Sequence, residues 1–214
     1  MSIKRSVFES IIIESNDQLR KADITPGCVQ IDYYEDIFSP VITAKIRVIN
    51  TGGTIVGLDS KDNQPQGLYI GLPLNGGESI RLKISGNRKG NPGLDFYSDP
   101  KDYLYVCNIT DVISDDNKES FTLHLISREA ITNETSRVSG KYTTSISESV
   151  RDILTNILKA NKIGSIDDTL HSYKFIGNLK KPFTVLTWLA SKSVPYTTSS
   201  EANSNAGFLF YQTK

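Results

Sequence analysis

The residues best suited to chemistry in this chain are two cysteines and two histidines: Cys28, Cys107, His124 and His171. Thiolate and imidazole groups are the usual ligands of structural zinc, but such sites place their ligands in close pairs a few residues apart. The four residues here show no such pairing. We therefore predict no metal site, and we interpret each cysteine as a small buried side chain in a reducing compartment.

The acidic residues and the glycines also lack a catalytic pattern. Carboxylates occur in "DYYED", "SDDNKE" and "IDDT", which we interpret as turns and solvent-facing positions. A glycoside hydrolase needs two carboxyl groups on either side of a substrate, and these runs favour solvated charge over that arrangement. "TGGT" and "NGGE" lack the longer glycine pattern and the lysine of a phosphate-binding loop. We predict no catalytic residue, no cofactor and no enzymatic activity.

One polar stretch, "SREAITNETSRVSGKY", is not explained by packing. It places five charged residues within fourteen positions and shows no evident helical face; they are Arg128, Glu129, Glu134, Arg137 and Lys141. Two interpretations stay open. The stretch is either a solvated connector or a polar contact surface for a neighbouring subunit, a setting in which arginine is favoured over lysine. These five residues are our candidate interface.

Six segments before that stretch alternate between apolar and polar residues, as β-strands with one buried face do; they are "SVFESIIIES", "CVQIDYYEDIF", "SPVITAKIRVIN", "GGESIRLKIS", "DYLYVCNITDV" and "SFTLHLIS". Their short polar links predict one sheet that curls or closes into a small barrel to protect its edges. We expect seven side chains to face its core: Ile42, Ala44, Ile46, Val48, Ile80, Leu82 and Ile84.

Two helices are predicted after the polar stretch, over residues 145–160 and 182–193. Apolar residues recur there at helical spacing, and Ser145 with Glu148 matches a capping box. Pro182 suits the first turn of the second helix, and we expect Trp188 to be at least half buried. The last segment, "GFLFYQT", alternates with two apolar faces and predicts a final strand.

Charge and hydropathy narrow the function classes. Lys plus Arg and Asp plus Glu both number 24, so the chain lacks the basic excess that phosphate contacts need. The early apolar run, Ile11–Ile13, is too short for a signal peptide, and no stretch approaches the roughly 20 apolar residues of a membrane span. We predict a protein made in the cytoplasm that has no membrane partner and no specific nucleic-acid binding.

The order of segments resembles a known family. "YYEDIFSPVITAKIRVINTGG", "GLPLNGGESIRLKI", "LISREAITNETSRVSGKYTTSISESVRDILTNIL", "NLKKPFTVLTWLASKSVP" and "GFLFYQT" are similar, in that order, to the central baseplate hub protein of contractile-tailed bacteriophages of the T-even type. The resemblance runs over nearly the whole chain. It depends on the succession of weak motifs and not on a single diagnostic signature.

The resemblance implies a structural role in the virion, in the baseplate of a contractile tail. Hub proteins of this family form a trimer in which each subunit carries two tail-tube-like barrels, so that three subunits match the hexameric tube and the trimeric spike lies on the other side. The implied partners are the chain itself, the spike protein, the tail tube protein and other baseplate proteins. The resemblance is also compatible with passage of the genome through the lumen.

The resemblance further implies a fold class and a domain division. The class is α+β but mainly β, a tail-tube-like β-barrel followed by a helix-containing subdomain. The barrel takes residues 1–127, the helix-containing insertion takes residues 128–206, and the strand at 207–214 leads into a further barrel region outside this chain. We therefore expect the chain to be the front part of a hub protein.

Two other functions remain as alternatives. A β-rich chain of this kind also suits a binding or attachment module of a phage tail, including a glycan-binding one. A cell-wall hydrolase of the tail is the third possibility, although the sequence shows no catalytic set for it.

Overall fold

A computed structural model describes residues 6–51, 67–88, 90, 93–115, 118–196 and 207–214 of the chain. Contacts between residues group the chain into two compact units. The first, here the sheet unit, comprises Met1–Tyr34, Thr43–Arg128 and Lys214, and the second, the helix unit, comprises Glu35–Ile42 and Glu129–Thr213. The sequence-based division into residues 1–127, 128–206 and 207–214 stays a prediction.

Within the described residues, the sheet unit contains one antiparallel sheet of eight strands. In chain order they are β1 (Val7–Glu14), β2 (Lys21–Asp23), β3 (Cys28–Tyr34), β4 (Thr43–Thr51), β5 (Ser79–Ser85), β6 (Leu94–Phe96), β7 (Leu104–Asp115) and β8 (Lys118–Ser127). Their order across the sheet is β2-β1-β5-β7-β8-β4-β3, and β6 pairs with β5 beside this path. The sheet is curled, and the predicted fold class, mainly β with a helix-containing part, is confirmed.

The six predicted strands are all present, but two short strands were not predicted. β2 lies between the first and second predicted strands, and β6 lies between the fourth and fifth. Each has only three residues, which is too few for alternation to be recognised. Residues 52–66, between the third and fourth predicted strands, lie outside the described residues.

The core of the sheet unit follows from the alternation along its strands. Along β4, Ala44, Ile46 and Val48 are buried, whereas the side chains between them point to solvent. The ladder places Ile46 opposite Leu123 and Val48 opposite Phe121, so the same face of β8 is also buried. Burying each such side chain stabilises the fold by about 1.5–3 kcal/mol. Of the seven predicted core residues, six are buried and Ile84 is partly exposed; one of the six, Ile42, belongs to the helix unit.

Two buried glutamates fix loops of the sheet unit. Oε1 of Glu78 accepts hydrogen bonds from the backbone N–H groups of Asn75 (2.6 Å) and Gly76 (3.0 Å). Oε2 of Glu119 accepts from the N–H of Leu68 (2.7 Å), at the start of the short helix α1 (Leu68–Gly71). The carboxylate of Glu119 therefore satisfies a buried backbone donor, and that of Glu78 satisfies two partly buried ones.

The helix unit is built from α2 (Arg128–Thr135), α3 (Ile146–Asp152) and α4 (Pro182–Ala190), with a two-stranded ladder of β9 (Lys141–Tyr142) and β10 (Phe175–Ile176). The predicted capping box is present at the start of α3: Ser145 and Glu148 each accept a hydrogen bond from the other's backbone N–H. α3 continues in π conformation over Ile153–Ile157, and Pro182 occupies the first turn of α4 as predicted.

The helix α2 corrects one sequence interpretation. The polar stretch that showed no evident helical face forms two turns of helix directly after β8. Its buried residues are Ala130 and Asn133, which lie three positions apart on one face. The sequence does not reveal this buried face, because one of its two side chains is polar.

The segment 207–214, which was predicted to be a final strand, is not part of a strand ladder among the described residues. Its predicted alternation is visible in burial, since Phe208, Phe210 and Gln212 are partly covered whereas Leu209 and Tyr211 are exposed. Among the described residues, no helix has the length and apolar character needed to cross a membrane.

Candidate interaction surfaces

The five candidate interface residues do not form one exposed patch. Arg128 and Glu129, at the start of α2, are partly buried, and Glu129 accepts a hydrogen bond from Nε2 of Gln212 (3.0 Å). Glu134, Arg137 and Lys141 are exposed. Nη1 of Arg137 donates to the backbone oxygens of Glu134 (2.8 Å) and Ser136 (2.7 Å), so this arginine caps the end of α2.

Glu134 forms an ion pair with Lys181, the residue that precedes α4. The hydrogen bond from the Lys181 ammonium group lowers the pKa of the Glu134 carboxyl group below its ordinary value. Lys141 lies on β9, directly opposite Ile176 of β10. The prediction of an interface stays a prediction for this set.

The helix unit also carries an open apolar groove along one side of α4. Its volume is about 540 Å³, and it is lined by Pro40, Phe183, Thr184, Thr187, Trp188 and Ser191. Oδ1 of Asn133 accepts a hydrogen bond from the backbone N–H of Phe183 (2.8 Å), which fixes the first turn of α4 beneath the groove. The hydroxyl groups of Thr187 and Ser191 donate to backbone oxygens of α4, so the groove presents mainly carbon to solvent.

Trp188 connects this groove to an aromatic cluster. Its ring meets those of Tyr173 and Phe175 edge-on, with centroids 5.7 and 5.6 Å apart, and Phe175 stacks on Tyr142 at 4.7 Å. Trp188 is 39% exposed, which confirms the expectation that it is at least half buried. Its exposed part is the largest aromatic surface of the groove.

A tight turn at residues 177–180 of the same unit has an unusual conformation. Asn178 and Leu179 both have positive φ, 51° and 54°, and the N–H of Lys180 donates to the oxygen of Gly177 (3.1 Å), as in a type I′ turn. Glycine is favoured at the position of Leu179, because the left-handed region costs other residues roughly 1–2 kcal/mol. Yet Leu179 is 66% exposed, so packing inside the chain offsets little of this cost.

The surrounding backbone holds this turn firmly. The N–H of Gly177 donates to the oxygen of Gly140, and the N–H of Val138 donates to the oxygen of Lys180, both at 2.9 Å. A side chain at position 177 would place its Cβ 2.4 Å from the oxygen of Val138, so only glycine fits there. The turn therefore presents Leu179 in a fixed orientation.

In the sheet unit, the outer part of β7 has an open edge within the described residues. β5 pairs with β7 at Leu104 and Tyr105, and Val106 exchanges backbone hydrogen bonds with Gly77 and Glu78 just before β5. Beyond Val106, the described ladder continues on the β8 side alone. Val112 and Ile113 on this part of β7 are exposed. An exposed strand edge of this kind favours pairing with another chain.

The cysteines and histidines are not brought together as a ligand set. The prediction that each cysteine is a buried side chain is wrong, because Cys28 is only partly buried and Cys107 is exposed. Partial desolvation raises the pKa of the Cys28 thiol to about 11 and raises the pKa of the Cys107 thiol as well, so both thiols are protonated at neutral pH. Nε2 of His124 lies 3.0 Å from Oγ1 of Thr110, across the β7–β8 ladder, and His171 is exposed. The described part of the chain contains no group of three or more His, Cys, Asp or Glu residues that could hold a metal ion.

The fold is similar to that of a solved phage tail protein. The structure is similar to the 43 kDa tail protein of prophage MuSo2 from Shewanella oneidensis, with a TM-score of 0.52 and 11% sequence identity over 87% of this chain and 50% of that chain. This chain thus spans about half the length of the tail protein that it matches. No protein-family model and no curated protein matches the sequence.

Two other solved structures align with the chain at lower scores. The tail protein from Neisseria meningitidis MC58 has a TM-score of 0.45 and 9% identity over 85% of this chain and 44% of that chain. A component of the type VI secretion system from E. coli has a TM-score of 0.43 and 9% identity over 88% of this chain and 41% of that chain.

Proposed function

We propose that the chain is a structural subunit of a bacteriophage tail, the central baseplate hub that joins the tail tube to a trimeric spike. The observation that carries this proposal is the fold similarity to the MuSo2 tail protein over most of this chain. The order of sequence segments supports the same role through the resemblance to T-even hub proteins. The T-even type, the baseplate position and the trimer belong to the proposal.

A hub works by presenting surfaces to its neighbours and needs no catalytic group. The buried carboxylates of Glu78 and Glu119 accept hydrogen bonds from backbone N–H groups and so have structural roles. We accordingly propose a non-enzymatic protein. Cleavage of purified peptidoglycan by the chain would contradict this part and favour the hydrolase.

The edge of β7 that is open among the described residues supports self-assembly. Identical chains commonly cover such an edge through closed rotational symmetry, and three copies would give the trimer expected of a hub. Replacing Ile113 with lysine adds a charge at the exposed edge, where a neighbouring strand would have to lie. Because Ile113 is exposed, the fold should tolerate this change.

The experiment measures the mass of the chain in solution by mass photometry, for the parent and for Ile113→Lys. We expect a trimeric parent and a variant that dissociates at concentrations where the parent stays assembled. Leu19→Lys is the matched control, because Leu19 is an equally exposed apolar residue in the turn between β1 and β2. A monomeric parent at all concentrations would overturn the proposed trimer.

The hub role itself is tested by co-purification. The chain is expressed with the tube protein and the spike protein of the same phage, each carrying a different affinity tag. A hub should be recovered with both partners, whereas an attachment module should bind a host-cell surface component and neither partner. Recovery with neither protein would overturn the hub assignment.

A further inference from the structure

We infer that the helix unit contains both halves of a contact between two copies of this chain: the Leu179 turn of one copy inserts into the α4 groove of the other. This inference rests on the proposed self-assembly of the chain and names the surfaces that would carry part of it. The turn is the projecting half, and the groove beside Trp188 is the receiving half.

The projecting half is apolar at its tip and basic around it. Leu179 and Ile176 are 66% and 67% exposed, and both belong to the segment that leads from β10 to α4. Lys180 follows Leu179 directly, and Lys141 lies opposite Ile176 in the β9–β10 ladder; both lysines are exposed. A partner for this surface needs an apolar recess with negative charge nearby.

The receiving half has this chemistry. Among the described residues, the groove is lined by Pro40, Phe183 and Trp188 together with three hydroxyl residues, and none of these is charged; the hydroxyl residues are Thr184, Thr187 and Ser191. The loop that supplies Pro40 also carries Glu35 and Asp36, which are both exposed. Complementary charges around an apolar contact fix orientation and exclude wrong partners.

Backbone strain at Leu179 supports a role outside the isolated chain. Asparagine followed by glycine is the usual pair in a type I′ turn, and leucine at the second position gives a strained residue with little burial in return. The hydrogen bonds of Gly177, Val138 and Lys180 hold the turn in place before any partner binds. A preformed projection binds with a smaller loss of conformational entropy than a mobile one.

The decisive variant is Leu179→Gly, which removes the projecting side chain and relieves the backbone strain together. We expect the dissociation constant of the assembly to rise roughly 10- to 100-fold, the loss that follows from leaving one leucine unburied. Below the concentration at which the parent assembles, we expect the melting temperature to rise by roughly 2–4 °C. A residue with a merely structural role would change stability and association in the same direction.

Leu170→Asn is the matched control. Leu170 is an exposed leucine of the same unit that belongs neither to the turn nor to the groove. Its replacement should leave the dissociation constant within about twofold of the parent, because surface changes away from the contact have small effects. Equal weakening by both variants would show that any loss of surface leucine lowers association, and it would overturn the specific contact.

Trp188 is the only tryptophan of the chain and lies in the groove, so its emission reports the receiving half directly. Assembly of the parent should shift this emission to shorter wavelength as the concentration rises, and Leu179→Gly should shift only at the higher concentrations where it assembles.

Charge pairing is tested with Lys180→Glu, which should weaken assembly, and with Lys180→Glu combined with Glu35→Lys, which should restore it.

The outcomes separate this contact from the wider proposal. A parent that stays monomeric removes the proposed self-assembly and this contact with it. Three other outcomes would overturn the contact alone and leave the hub proposal standing. In the first, the parent assembles without a change in Trp188 emission. In the others, Leu179→Gly assembles as well as the parent, or the double charge variant assembles as weakly as Lys180→Glu.

Discussion

In the sheet unit, apolar side chains alternate along whole strands and share one core, whereas in the helix unit short elements are fixed by single side chains that bind backbone groups. Long ladders such as the one between β4 and β8 place many buried residues in mutual contact. By contrast, the first turn of α4 depends on Asn133, and the start of α3 depends on Ser145 and Glu148. We therefore expect the stability of the sheet unit to depend most on keeping charge out of its core. We expect the stability of the helix unit to depend on individual hydrogen bonds.

The largest expected effect comes from a charge in the shared core. Leu82 is fully buried on β5, between β1 and β6, so Leu82→Asp should destabilise the sheet unit by about 3–5 kcal/mol. The change is measured by urea unfolding followed by far-ultraviolet circular dichroism. The exposed Arg47→Asp, on the outer face of β4, is the control and should change little. A Leu82→Asp variant that unfolds like the parent would show that the phase of β5 is wrong.

The second effect tests whether a single carboxylate also matters in the sheet unit. Glu119→Ala removes the acceptor of the Leu68 N–H and leaves that donor buried, at a cost of about 2 kcal/mol. Glu119→Gln retains an oxygen that can accept the same bond and should cost less. If Ala and Gln variants are equally stable in thermal denaturation, the hydrogen bond to Leu68 does not explain the burial of Glu119.

The third effect concerns the helix unit. Asn133→Ala removes the acceptor of the buried Phe183 N–H and should destabilise this unit by about 1–2 kcal/mol. Unfolding is followed through Trp188 emission, which reports on α4. Asn156→Ala is the control, because Asn156 is exposed and its amide donates only to Asp152 among the contacts that the structure describes. Identical unfolding curves for the two variants would weaken the contrast between the units.

The smallest effect tests the surface ion pair between Glu134 and Lys181. The pKa of Glu134 is lowered in the folded chain, so its contribution is present above the ordinary pKa of 4.5 and is lost as the pH falls through the lower folded value. Glu134→Gln should therefore lower the melting temperature slightly at pH 7 and not at all at strongly acidic pH. A difference that persists unchanged in acid would mean that the effect of the variant is not electrostatic.

The two units also differ in how well the sequence predicts them. Alternation predicted the six longer strands and six of the seven core residues, because each strand repeats the same apolar face several times. The capping box and Pro182 predicted the starts of α3 and α4 from local chemistry alone. In contrast, α2 was missed because its buried face consists of Ala130 and Asn133, and β2 and β6 were missed because three residues show no period.

The candidate surfaces were predicted less well. Charge density drew attention to the stretch from Arg128 to Lys141, and three of its five residues are indeed exposed. The groove could not be predicted, because it joins Pro40 to residues of α4 that lie more than a hundred positions later. The strain at Leu179 was equally hidden, since the letters "GNLK" do not specify that both central residues adopt positive φ.

The π segment that follows α3 has a consequence for insertions and deletions. The N–H of Leu158 donates to the oxygen of Ile153, five residues back, and this wider turn allows both of these side chains to be fully buried on one face. In a regular α-helix the residue four positions after Ile153 would take that place, and Ile157 is only partly buried here. The segment therefore holds one residue more than a regular helix would need. Thr155 and Asn156 are both exposed, and deleting either one should restore regular α-helical spacing and keep Ile153 and Leu158 on the same buried face. This helix should therefore tolerate a one-residue deletion. The same deletion in a strand of the sheet would move every following side chain to the opposite face.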